Sequence, residues 1–375
     1  MERFFEICIE KDVKINFNFL FQNTNISEEF IEKYIQKVVK VVWENLSKNT
    51  NLTEGFFERH INNLDKNAWI NLCQNTNLSE AFFEKYESLG VLNWISLCKN
   101  TNLSESFFEK YIENVKWSIL CKNTNISESF FEKYIKKGIL MHYWAFLCKN
   151  TNLSESFFER HIKSVDWWSL CQNKNISEKF FEKYLESVDW CSLCKNTNIS
   201  EHFFEEYIFL SNGGEINLHW RSLCQNPNLS EHFFEKYIEN VNWYYLCENT
   251  NISEQFFEKY FSCQTKQIKI WWSKLCKNTN MSYQFFEKYI FEEVLNWKLL
   301  CGNTNISEQF FEKYIEKIKL KILNDNNFNE NNIEDLTSAI LSKNTFRVNH
   351  SRNKIISWLK KNPQYSFDNL LYKYI

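Results

Sequence analysis

Apolar positions along this chain recur on two scales at once. Within short stretches they fall at helical spacing, and the stretches themselves return every 23 to 30 residues. The most regular marker is a leucine, found at Leu20, Leu46, Leu72, Leu97, Leu120, Leu147, Leu170, Leu193, Leu223, Leu246, Leu275 and Leu300. Three residues before each lies an aromatic, Phe17 in the first copy and Trp in the others. Three residues after each comes an Asn, from Asn23 to Asn303. Self-similarity at a fixed period of this length is the signature of a repeat architecture.

One copy, residues 117–135, reads W-S-I-L-C-K-N-T-N-I-S-E-S-F-F-E-K-Y-I and predicts two short helices. The first carries Trp117 and Leu120 at i and i+3 and is expected to end at Asn123, a residue tolerated in a left-handed cap. In the preceding copy, Ser104 opens the second helix as an N-cap, and Glu105 sits in its first turn, where the helix dipole favours a carboxylate. Leu103 and Phe108 occupy the two positions of a hydrophobic staple. Phe107, Phe108, Tyr111 and Ile112 form the apolar stripe, while Glu109 and Lys110 are expected to face solvent. Such a hairpin cannot bury its own aromatic face, so neighbouring copies must stack. The expected fold is therefore all-α: an α-solenoid superhelix of about twelve two-helix repeats, 23–30 residues each, with degenerate terminal caps.

The ends fit this frame. Glu2-Arg3-Phe4-Phe5-Glu6 matches the second helix, so the chain begins with half a repeat. The array runs over residues 1–316. After Lys317 the pattern decays through the Asn-rich stretch 324–332 and partly returns from Ile356 to Ile375. Residues 317–375 are thus expected to form a helical C-terminal cap of degenerate repeats.

The segment Leu223-Cys224-Gln225-Asn226-Pro227-Asn228-Leu229-Ser230 resembles leucine-rich repeat variant units. It is also similar to the W-x-x-L-x-x-N-P-N-[IL]-[TS] arrays of large DNA virus proteins. The resemblance covers roughly residues 1–316, and the chain departs from it with Phe-Phe in place of Leu and Thr in place of most turn prolines. It implies a superhelical stack whose second helix is often 3₁₀, whereas the eight-residue apolar stripe points to α. It implies no defined activity, and it suggests a viral protein engaging host or virion proteins.

Composition narrows the function classes. The net charge is −3 with Lys and Glu interspersed, which gives no global attraction to nucleic acid or anionic membrane. No stretch approaches 18 consecutive apolar residues, so no membrane span is expected. Six glycines among 375 residues leave no P-loop, G-x-G-x-x-G or G-x-S-x-G. Carboxylate pairs such as Glu105 and Glu109 recur in nearly every copy, whereas a catalytic pair needs one environment that separates its pKa values. No enzyme, catalytic residue, cofactor, metal site or small-molecule substrate is expected. Ten copies carry Cys directly after the core Leu, from Cys73 to Cys301. Free Cys is among the most buried residue types, and stacked helices lie too far apart for disulfides, so these thiols read as packing. Together with an acidic N-terminus unlike a signal peptide, they place the chain in the cytoplasm. His60 and His161 stand where other copies have Tyr and read as packing substitutes.

Solenoids bind through positions that vary on a fixed frame. The pair between Trp and Leu varies here, giving Trp168, Arg221, Tyr244 and Tyr245, of residue types that dominate binding hot spots. An inserted loop adds Asn212, Gly213 and Gly214. The leading expectation is a non-catalytic scaffold with a protein partner. The alternatives are a single-stranded RNA-binding repeat protein, which would require a basic groove and polar code positions, and a structural virion component.

Overall fold

The structure, a computed structural model, describes residues 2–11, 15–21, 23–36, 43–211, 218–261, 271–290, 294–307, 309–311 and 313–314. The chain divides into two compact units, Met1–Asp189 and Trp190–Ile375. Every regular element among the described residues is helical, and each unit is an all-α solenoid stack of two-helix repeats. The opening half-repeat is the helix Glu2–Glu10. The cap expected at 317–375 and the loop residues Asn212, Gly213 and Gly214 lie outside the described residues.

The first helix of each repeat is a single turn, such as Trp94–Leu97 or Trp167–Leu170. A helix this short has no independent stability, and in several copies a side chain caps its N-terminal end. Asn93 Oδ1 accepts from Ser96 N–H at 2.9 Å, and Asp166 Oδ1 from Ser169 N–H at 2.8 Å. The C-cap is the cysteine, not the asparagine expected from sequence: Cys98 closes Trp94–Leu97 at φ −64°, ψ −17°, an ordinary right-handed conformation. The asparagine lies two residues further on and is buried. Its value is in its side-chain amide, which connects repeats.

The second helix is α, as the stripe indicated. Ser104 caps Glu105–Lys110, its Oγ accepting from Phe107 N–H at 3.2 Å. The stripe does not continue through one α-helix, however. Tyr111 ends it, and Ile112–Asn114 forms a separate 3₁₀ turn, leaving Ile112 half-buried. Where the repeat spacing lengthens after Glu128–Lys136, Gly138 takes φ +74°. Its N–H donates to Ile135 O at 2.8 Å and Ile139 N–H to Tyr134 O at 3.1 Å, the paired bonds of a Schellman stop. A residue with a Cβ would be strained there.

The core is aromatic and repeats with the sequence. Within one repeat the Trp94 ring lies 6.1 Å from Phe107 and 5.5 Å from Tyr111, and Phe107 meets Phe108 edge-on at 5.6 Å. Phe107, Phe108, Leu97 and Leu103 are all buried. His60 and His161 take the tyrosine's place as expected, at 5.1 Å and 5.3 Å from Trp43 and Trp144. They do more than pack, because their Nε2 atoms also lie 3.1 Å and 3.0 Å from the carboxylates of Glu32 and Glu132 in the repeats before.

Three polar ladders join successive repeats. In the first, the buried asparagine spans two carbonyls of the repeat before it: Asn150 Nδ2 donates to Cys121 O at 3.0 Å and to Asn123 O at 3.1 Å. Its Oδ1 accepts from Asn152 N–H at 2.9 Å, which forms the turn of its own repeat. The same geometry recurs at Asn100, Asn123, Asn173, Asn226, Asn249, Asn278 and Asn303. In the second ladder the first-turn glutamate bonds forward as well as facing its own helix dipole. Glu105 Oε1 accepts the backbone N–H of Ser127, the N-cap of the next repeat, at 2.6 Å. In the third, the Glu and Lys expected to face solvent do so, but paired across repeats. Lys110 meets Glu84 at 2.8 Å and Lys133 meets Glu109 at 2.7 Å. Exposed pairs of this kind contribute at most about 1 kcal/mol each, so the buried asparagine ladder is the larger determinant of register.

The cysteine thiols lie beside that ladder. Cys73, Cys98 and Cys224 are buried and free, and their Sγ atoms accept backbone N–H groups of the following repeat, from Asn93, Lys116 and Asn242, at 3.3–3.4 Å. Burial pushes the thiols of Cys121, Cys148, Cys171 and Cys224 up to about 12. Because the folded pKa lies above the ordinary value of 9.0, the folded state holds these protons more tightly. That stability is fully present below pH 9 and is lost as pH rises toward 12. Iodoacetamide at pH 8 should therefore leave the Cys171 peptide unlabelled in the native chain and label it fully after denaturation, as read by peptide mass spectrometry. Rapid native labelling would contradict the buried placement.

Candidate interaction surface

Of the two positions between Trp and Leu, the first is exposed in several one-turn helices, as at Ile95 and Trp168, whereas a small residue at the second, such as Ser96, Ser169 or Ser222, is buried. In the second unit these positions bring Arg221, Tyr244 and Tyr245 together. With Val241, Asn242, Trp243 and Trp271 they line an open concavity of about 480 Å³. The Arg221 guanidinium lies 5.0 Å from the Tyr245 ring centroid. Tyr245 meets Tyr244 edge-on at 4.9 Å, and Tyr244 meets Trp271 edge-on at 5.0 Å. Lys274 Nζ sits 4.1 Å from the Tyr244 centroid and 2.5 Å from Glu248. The Glu248 carboxylate, with the Tyr244 hydroxyl, raises the Lys274 ammonium above the usual lysine range.

The charges on this platform are therefore unequal. Lys274 is neutralised, whereas Arg221 is exposed and has no carboxylate partner among the described residues. The rings pack against one another and against the cations, contacts of a kind that reduce the rotamer entropy lost when a partner docks. Each cation–ring contact is worth about 0.5–1 kcal/mol at such a partly exposed site.

Trp168 belongs to the first unit and is not part of this cluster. It is 54% exposed, so it does not enlarge the core, and Lys149 Nζ lies 4.5 Å from its ring centroid. Sequence reasoning missed Trp271, Lys274 and Glu248. Trp271 stands just before the helix Trp272–Leu275 and reads as the end of an insertion. Lys274 could have been found, since it occupies the same repeat position as Tyr245 one copy earlier.

The described residues contain no group of three or more His, Cys, Asp or Glu side chains arranged to hold a metal ion. His202 and His232 are each exposed on their own helix. No helix among the described residues is long and apolar enough to cross a membrane. No protein-family model matches this chain, and no curated protein or solved structure matches it either.

Proposed function

We propose that this chain is a non-catalytic scaffold that holds a protein partner through the side chains its first helices vary on an otherwise repeated frame. The observation that carries this reading is the convergence of Arg221, Tyr245, Tyr244 and Trp271 on one open concavity. Aromatic and Arg side chains are the types that dominate protein–protein hot spots, and here they pack against one another. A frame of near-identical repeats also lets these positions change without disturbing packing.

Affinity capture with the tagged chain tests the reading, using lysate from the cells that make it, split into nuclease-treated and untreated halves. The expected result is a discrete protein that survives nuclease and is lost with the R221A/Y244A/Y245A variant. Capture that the variant leaves intact, or that collapses with nuclease, would overturn it.

A further inference from the structure

The nearly balanced charge of the chain hides an uneven distribution. On the second helices, Lys33, Arg59, Lys85, Lys110, Lys133, Arg160 and Lys183 each pair with a glutamate of the repeat before. On the first-helix face of the first unit, Lys48 pairs with Glu44 at 3.2 Å, but three later cations are not matched. Lys99, Lys122 and Lys149 occupy the same position, directly after the buried cysteine, in three successive repeats. All three are exposed, and none has a carboxylate partner among the described residues. Lys122 and Lys149 instead lie 4.8 Å and 4.5 Å from the ring centroids of Phe146 and Trp168 in the following repeats. The acid nearest in sequence on the first helices, Asp166, is occupied as the N-cap of Trp167–Leu170. The row is bounded at both ends by neutral side chains that are already bonded, Gln74 to Ser96 Oγ and Gln172 to Trp168 O.

We infer that this row is a docking track for an acidic, extended peptide segment, independent of the Arg221–Tyr244 platform. Adjacent packed helices lie about 8–10 Å apart, which sets the spacing of the three ammonium groups. A polyproline II peptide advances about 9 Å per three-residue turn, so carboxylates at i, i+3 and i+6 face one side in step with the lysines. A single nucleic-acid strand fits less well. Successive phosphates are more closely spaced than the lysines, and the two rings that would stack bases already have ammonium groups over them. The rings of Phe146 and Trp168 orient the lysines instead.

The test is fluorescence anisotropy with the full chain at low salt. The probes are a labelled peptide of about seven residues with Glu at every third position among prolines, the same composition with its three Glu adjacent, and an oligothymidylate of about ten nucleotides. The expected result is that the spaced peptide binds at least threefold more tightly than the clustered one. Its affinity should fall at least tenfold in the K99Q/K122Q/K149Q variant, and also when salt is raised toward 0.5 M. Far-UV circular dichroism checks that this exposed triple variant folds. The R221A/Y244A/Y245A variant should bind the spaced peptide normally, which separates this track from the platform. No difference between the two peptides, no loss in the lysine variant, or tighter binding of the oligothymidylate would each overturn the proposal.

Discussion

Asn150→Asp is expected to destabilise the first unit by about 3–5 kcal/mol at neutral pH, because a buried charge without compensation costs that much. The wild-type amide donates to two carbonyl oxygens, Cys121 O and Asn123 O. A carboxylate offers no donor and places negative charge against both. The substituted carboxyl would have its folded pKa raised above the ordinary carboxylate value by burial and by those carbonyls. A raised folded pKa means that the destabilisation is relieved below the unfolded pKa near 4 and grows as pH climbs through the folded value. At low pH the protonated side chain recovers one donor, so urea unfolding at pH 3 and pH 7 should show a smaller loss at the acidic end. Equal losses at both would contradict the assigned hydrogen bonds.

Phe108→Ala should cost a comparable amount, about 3–5 kcal/mol, by the transfer and cavity terms of a large buried aromatic. Phe108 is fully buried and meets Phe107 edge-on at 5.6 Å. Because repeats contact mainly their neighbours, the damage should centre on the copies around residues 97–131. Lys133→Gln, which removes an exposed rung, should stay within about 1 kcal/mol. A larger effect from the lysine than from the phenylalanine would mean that the stack is held by its surface and not by its core.

How much of this was legible follows from where each interaction lies in the sequence. The helices, the Ser104 type of cap and the buried Phe-Phe pair depend on contacts within a few residues, so periodicity alone exposed them. The asparagine ladder was misread as local capping because its partners, such as Cys121 O for Asn150, lie a whole repeat away. Glu109 and Lys110 face solvent as read, and only their pairing was hidden, because each finds its partner in a different repeat. For the candidate surface, Arg221, Tyr244 and Tyr245 stood out as bulky residues at variable positions, and their spatial convergence followed from stacking equivalent positions. Trp271 and Glu248 did not stand out, because one precedes its helix and the other follows the cysteine. They enter the site only through the packing of adjacent repeats.

Hydrogen–deuterium exchange, read peptide by peptide on the wild-type chain and on Asn150→Asp, tests most directly whether each repeat is held by the asparagine of the one that follows. The expected result is a loss of protection concentrated in residues 121–175, with the opening helix Glu2–Glu10 and the repeats around Asn75 little changed. A loss spread evenly over the whole first unit would mean that it folds as a single cooperative core. No loss at all would mean that the buried asparagines do not carry the stack.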